Sequence, residues 1–141
     1  MLLQNTEIAD IPIPRFLYGT AWKENETQRL TELALRQGFR GIDTANQRRH
    51  YHEGAVGQAI AEAIESGLVV RDDLFLQTKF TFPSGQDHRM PYDPAASVST
   101  QVEQSFISSL EHLRTEFIDS YVLHNFSVCT RHRNAAADRN H

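Results

Sequence analysis

Four ionisable side chains carry the chemical interest of this sequence: Asp43, Tyr51, Lys79 and His124. Asp43, Lys79 and His124 each close or directly follow a short apolar run of strand character, and Tyr51 lies in the loop after Asp43. In a parallel α/β barrel every strand ends on the same face, where barrel enzymes build their sites, so groups distant in sequence meet there. Reduction of a carbonyl needs a hydride donor on one side and a proton donor for the developing alkoxide on the other. Tyr51 would supply the proton, and Lys79, held in place by Asp43, would favour its release by stabilising the phenolate. His124 would hydrogen-bond the substrate oxygen and orient it. Singly, such residues are commonplace: a strand-end Asp caps a loop, a Tyr packs its ring, a Lys snorkels and a His caps the next turn of chain. Their occurrence in the order Asp, Tyr, Lys, His, all at or just beyond strand ends of one rim, is what separates them from that background.

The elements that must position them alternate strand and helix, the pattern of βα units around a parallel sheet. Strands are expected at Phe16–Thr20, Phe39–Asp43, Leu74–Lys79 and Phe117–Leu123. The first helix should start near Glu26 with Asn25 as N-cap and Gly38 just past its end, burying Leu30, Leu33 and Ala34. The second places Val56, Ala59, Ile60, Ala63 and Ile64 at helical spacing and ends at Gly67. The third should open at Asp93-Pro94, an N-cap and N1 pair, and bury Val98, Val102, Phe106, Leu110 and Leu113. Between the third strand and this helix, the polar loop from Thr81 to Tyr92 is long for a βα connection and is a candidate substrate wall or lid. Residues 128–141 show neither helical nor strand period, so 127–141 is expected to be an unstructured tail.

Several segments resemble the aldo-keto reductase signatures. They are Gly19-Thr20-Ala21-Trp22, Gly38-Phe39-Arg40-Gly41-Ile42-Asp43-Thr44-Ala45, His50-Tyr51-His52-Glu53 with Val56-Gly57, Leu74-Phe75-Leu76-Gln77-Thr78-Lys79 and Ile118-Asp119-Ser120-Tyr121-Val122-Leu123-His124. The similarity runs from about Pro14 to Phe126, a domain of residues 14–126 that matches only the first half of a family member. It implies the (β/α)8 TIM-barrel fold, represented here by about four strands and three helices, a half-barrel. It also implies NADPH as cofactor, an aldehyde or ketone as substrate, and a catalytic tetrad that falls on Asp43, Tyr51, Lys79 and His124. Of the family's cofactor contacts, those that carry over are Thr20, Ala21, Trp22 and Asp43; the rest belong to the second half. The stretch from Asp43 to Tyr51 is longer than in the commoner family pattern, the extra residues lying in Asn46–His50, so the assignment of Tyr51 rests on Glu53 and Val56-Gly57 just after it.

On this reading the chain is a truncated form, such as a splice or gene-model product, weak or inactive alone. The alternative is a non-catalytic half-barrel that associates with itself or with another polypeptide through its open edges. Gly54-Ala55-Val56-Gly57 lacks the preceding strand that a dinucleotide-binding glycine loop requires. His50, His52, Glu53 and His88 fit no established zinc spacing, and Arg48-Arg49 beside them oppose a cation, so no metal is expected.

Composition sets the outer limits. A chain of 141 residues with 40% hydrophobic residues can bury a core. A net charge of -4 offers no broad positive field for phosphates, which argues against nucleic acid and anionic membrane partners. Met1-Leu2-Leu3 is cut off by Gln4-Asn5, far short of a signal peptide or membrane span. The single Cys129 has no partner for a disulfide or a zinc site, and both absences suit a reducing cytoplasm.

Overall fold

The fold is described from a computed structural model, which covers residues 5–8 and 11–124; the expected tail at 127–141 lies outside the described residues. The chain opens with β1 (Asn5–Ile8) and β2 (Ile11–Pro14), paired antiparallel from Asn5 opposite Pro14 to Ile8 opposite Ile11. The sequence does not announce this hairpin, because Pro12 and Pro14 argue against a strand. A two-stranded ribbon consists only of edges, where a residue without an N–H is tolerated.

Four parallel strands come next: β3 (Leu17–Gly19), β4 (Gly41–Asp43), β5 (Phe75–Thr81) and β6 (Ser120–His124), adjacent in that order. Three helices connect them, α1 (Thr27–Arg36), α2 (Glu53–Glu65) and α3 (Val98–Leu113). Helix α1 packs on α2, and α2 packs on α3. Helices side by side on one face of a sheet whose strands keep chain order are the winding of a barrel rather than of a doubly wound sheet. The expected half-barrel of four strands and three helices is therefore what forms.

Strand alternation decides which residues face the site. Ile42 and Leu76 are register partners and turn outward into an apolar core with Leu35, Val56, Ile60, Ala63, Val69, Leu74 and Leu113. The neighbouring partners Asp43 and Gln77 turn the other way, and Lys79 shares their face by the two-residue strand period. At the lower end of β6, Asp119 accepts from the Leu76 amide at 2.9 Å and pairs with Arg71 at 2.9 Å, which fixes the register that brings His124 level with Thr81.

Three helix details depart from the sequence expectation. Asn25 does not cap α1: it lies in a 3₁₀ turn over Glu24–Glu26, and the helix starts after it with the Thr27 hydroxyl bonded to the Glu24 carbonyl at 2.7 Å. The buried stripe of α1 is Thr27, Thr31, Ala34 and Leu35, whereas Leu33 is exposed. Asp93-Pro94 does not start α3. Asp93 accepts from the Ala95 amide at 2.9 Å in a local turn, and the Gln101 side chain satisfies the Pro94 and Ala96 carbonyls, so the helix starts only beyond Ser97, whose hydroxyl accepts from the Thr100 amide.

The face that α3 buries is also different. Gln101, Ser105, Ser109 and Leu113 are fully buried, Val102, Phe106 and Leu110 are half-buried, and Val98 is exposed. Small polar residues occupy this face because the helix comes very close to α2. A Cβ placed on Gly57 would stand 1.8 Å from the His112 carbonyl oxygen, which is backbone and cannot swing aside. At the helix ends, Gly38 (φ +99°) comes after α1 and Gly67 (φ +77°) after α2, in the left-handed conformation that favours glycine, as expected. Replacing Gly57 by Ala should prise α3 from α2 and lower the unfolding free energy by about 1–3 kcal/mol, measured by urea denaturation; an unchanged midpoint would contradict the close approach.

Candidate active site

The sheet brings all four sequence-selected residues together at the C-terminal rim. Lys79 is 9% exposed, and its ammonium sits 2.8 Å from the Asp43 carboxylate and 2.8 Å from the Thr44 carbonyl. Gln77, one strand period below Lys79, donates to Asp43 Oδ1 at 2.8 Å and in turn accepts from Ser120 on β6 at 2.9 Å. A row of polar side chains thus runs across three strands and orients the carboxylate before it meets the lysine. Sequence reasoning misses Gln77, although its position two residues before Lys79 marks it as sharing that face.

Tyr51 reaches the same place through a loop that the chain closes on itself. The β4–β5 ladder continues past Asp43 through Thr44 N to Gln77 O at 2.9 Å and Asn46 N to Lys79 O at 3.2 Å. The Gln47 side chain then accepts from the His50 amide, and the Tyr51 amide donates to the Gln47 carbonyl at 3.1 Å. Residues Asn46–His50 are therefore taken up in a compact turn, and Tyr51 comes back over the site. Its ring centre is 4.9 Å from the Lys79 ammonium and 6.3 Å from the His124 ring, which stands edge-on at 86°. The Tyr51 hydroxyl has no hydrogen bond among the described residues.

His124 closes β6, with Nδ1 3.1 Å from the Thr81 hydroxyl. Burial holds its pKa below the ordinary imidazole value, the Lys79 ammonium and His50 push in the same direction, and Asp43 opposes them in part. A neutral ring whose Nδ1 accepts the Thr81 proton carries its own proton on Nε2, the nitrogen left to meet a ligand.

The turn after β3 borders the rim. Thr20 is fully buried, and both its amide and its hydroxyl donate to the Asp43 carbonyl, at 3.1 and 2.9 Å. Thr20 thus acts on Asp43 directly. Ala21 is half-buried, while Trp22 is 69% exposed, has φ +60°, and stacks on His50 with ring centres 3.9 Å apart. The Trp22 amide donates to the His50 carbonyl at 2.8 Å, which ties this turn to the Tyr51 loop.

A cavity of about 570 Å³ opens behind the loop, between it, the Arg89–Pro91 segment and the end of α3. Of the four rim residues only Tyr51 borders it, so it is not the space above the Asp43–Lys79 pair. Its wall holds Glu53, a 3% exposed carboxylate bonded to Thr78, Ser109 and His112. In the sequence Glu53 serves to locate Tyr51 and otherwise figures only among the side chains that fit no zinc spacing. Among the described residues no cluster of three His, Cys, Asp or Glu side chains is arranged to hold a metal, and no helix is long and apolar enough to cross a membrane.

Known proteins share this arrangement of elements. The sequence model of the Aldo/keto reductase family matches residues 16–137. The chain is 35% identical over 116 residues to the aldo-keto reductase AKR2E4 of Bombyx mori, covering 80% of this chain and 33% of that protein. It is 32% identical over 111 residues to the NADP-dependent D-sorbitol-6-phosphate dehydrogenase of Malus domestica, covering 78% of this chain and 30% of that protein. The crystal structure of the Bombyx mori AKR2E4 enzyme in complex with NADP superposes with a TM-score of 0.68 at 29% identity, over 87% of this chain and 38% of the other. The chain spans about a third of the length of these relatives. With the family pattern matched over most of its length, this chain belongs to the aldo-keto reductase family.

Proposed function

We propose that this chain carries the acid–base centre of an NADPH-dependent oxidoreductase that reduces aldehydes or ketones to alcohols. The observation that supports the reading best is the Asp43–Lys79 pair, 2.8 Å apart and nearly buried, with the Tyr51 and His124 rings arranged around it. The relatives named for NADP or solved with it support the cofactor. Two features of the rim support its binding there: Trp22 presents an exposed ring, and the Asp43 side chain keeps 22% of its surface open beside Lys79. Ala21, Trp22 and Asp43 would hold the cofactor on this side; Thr20, expected from the resemblance to join them, is fully buried with both donors on the Asp43 carbonyl and would act only through Asp43. When bound, it supplies the hydride that reaches the carbonyl carbon.

The protein's own part is the proton. Tyr51 Oη would give its proton to the carbonyl oxygen as negative charge builds there. The Lys79 ammonium, fixed by Asp43 and Thr44, would stabilise the phenolate left behind. His124 Nε2 would donate a hydrogen bond to the same oxygen and orient it. The setting is a reducing cytoplasm, in keeping with the single Cys129.

Catalysis also requires the nicotinamide to be fixed at near-attack distance, a positioning effect of roughly 7–11 kcal/mol. The chain spans about a third of its relatives, so we propose that it holds the cofactor weakly when alone and reduces carbonyls slowly or not at all. A second reading, association of a non-catalytic half-barrel with itself or another polypeptide, is favoured by a different observation. Strands β3 and β6 are each paired on one edge only among the described residues, and Phe16 (59%) and Leu123 (47%) are exposed.

Three measurements test these proposals. In a complete barrel carrying these residues, Tyr51→Phe should lower kcat for an aromatic aldehyde by at least about a hundredfold with little change in cofactor affinity; near-normal turnover would remove Tyr51 from the acid role. An NMR titration should place the His124 midpoint below 6.5, and Lys79→Met should raise it. As pH falls through about 6.5 the unfolded chain takes up this proton first, so His124 destabilises the fold below that pH. For the isolated chain, fluorescence titration should show no micromolar NADPH complex, and light scattering should show dimers or larger species. A tight complex in a monodisperse monomer would refute the weak-binding proposal and the association reading together.

A further inference from the structure

Behind the sheet, on the face away from Lys79, Glu53 gathers hydrogen bonds from two elements. Its Oε2 accepts from the Thr78 hydroxyl of β5 and from the Ser109 hydroxyl of α3 at 3.1 Å, and its Oε1 lies 2.9 Å from His112 Nδ1. The His112 imidazole is held in its charged form to a higher pH than usual by this hydrogen bond, against the effect of its partial burial. A carboxylate 3% exposed is costly to keep unless its partners are fixed, and α2 could meet α3 here through apolar contact alone. Its location gives a reason for retaining it.

We propose that Glu53 is a positioning residue that sets the distance between Tyr51 and Lys79 from behind the sheet. Only His52 separates Glu53 from Tyr51, and Thr78 is joined to Lys79 by one peptide bond. The Glu53–Thr78 hydrogen bond therefore closes a short ring: Tyr51, His52, Glu53, then across to Thr78 and Lys79. Because strand side chains alternate, Thr78 points back to Glu53 while Lys79 points forward to the site. Any slip of the start of α2 along β5 moves Tyr51 directly. The remaining bonds of the loop join it to other elements or enter it farther from Tyr51. Gln47, Arg48 and Trp22 bond within the loop or to the β3 turn, Asn46 bonds to Ser105 and Gln86, Arg89 donates to the Arg48 carbonyl, and the bond from Asn46 N to Lys79 O enters before the turn, at the far end from Tyr51. This inference rests on the proposed partnership of Tyr51 with Lys79, and gives that pair a mechanical origin.

The test needs no turnover. The full chain is labelled with ζ-carbon tyrosine for NMR at fixed neutral pH, and the Tyr51 signal is identified among Tyr18, Tyr51, Tyr92 and Tyr121 by its loss in Tyr51→Phe. The quantity read is the displacement of that signal when Lys79→Met is introduced, first in the unchanged chain and then with Glu53→Gln. If Glu53 positions the pair, the displacement should fall to less than about a third in the Glu53→Gln background. Thr78→Val, which removes the same bond from the other side, should have the same effect, and Thr78→Ser, which keeps the hydroxyl, should restore the full displacement. Thr78→Val decides the matter alone if Glu53→Gln melts without a cooperative transition. Equal displacements in the unchanged, Gln and Val backgrounds would overturn the positioning role and leave the proposed function standing. No displacement in the unchanged chain would mean that Tyr51 does not sense Lys79, overturning the proposed function and this inference with it.

Discussion

An ammonium group shut away from water needs an anion and acceptors within reach, because desolvation otherwise disfavours its charge. Lys79 has both in Asp43 and the Thr44 carbonyl. These partners lie at the end of β4, while the lysine lies on β5, two residues beyond the partner of Asp43. The pair can therefore form only when the two strands run parallel in this register, with Asp43, Gln77 and Lys79 on one face. Gln77 extends the same constraint to β6 through Ser120, and Thr20 extends it to β3 through the Asp43 carbonyl. One charge pair thus reports on the alignment of all four parallel strands.

Behind the sheet the packing is divided. An apolar core centred on Ile42, Leu76, Val56 and Ile60 sits between the strands and α1 and α2. Nearer the rim, the contact between α2 and α3 becomes polar and close, with Glu53, Ser105, Ser109 and the bare backbone of Gly57. Apolar burial there would give comparable cohesion but less exact placement, since hydrogen bonds fix direction as well as distance. The loop that carries Tyr51 hangs between this polar seam and the Trp22–His50 stack, supported on both sides by rigid elements.

Likeness to the family extends over most of the chain. The match runs over residues 16–137, and the superposition with the Bombyx mori enzyme covers 87% of this chain. The two rim residues that close strands, Asp43 and His124, and Lys79 within β5 are placed by the ladder itself. Tyr51 is placed instead by a loop that side-chain bonds such as Gln47 to His50 turn back over the site.

Periodicity and residue type make much of this legible in the sequence. Short apolar runs give the parallel strands because a strand buried on both faces leaves few alternatives, and the ends of those runs locate Asp43, Lys79 and His124 on one rim. Val56, Ala59, Ile60 and Ala63 give the buried face of α2 for the same local reason. The features that the sequence does not disclose depend on partners far along the chain. Asp93-Pro94 has the composition of a helix start, yet Gln101 takes the carbonyls that would have continued it. Phe106 and Leu110 have the spacing of a core stripe, yet Ser105 and Ser109 are the residues fully buried, because Gly57 lets α3 approach too closely for large side chains. Glu53 looks like a first-turn helix residue until Thr78, Ser109 and His112 surround it. Local pattern records what a segment can bury, and only the folded chain decides which surface, at what distance and with which polar partners, it is buried against.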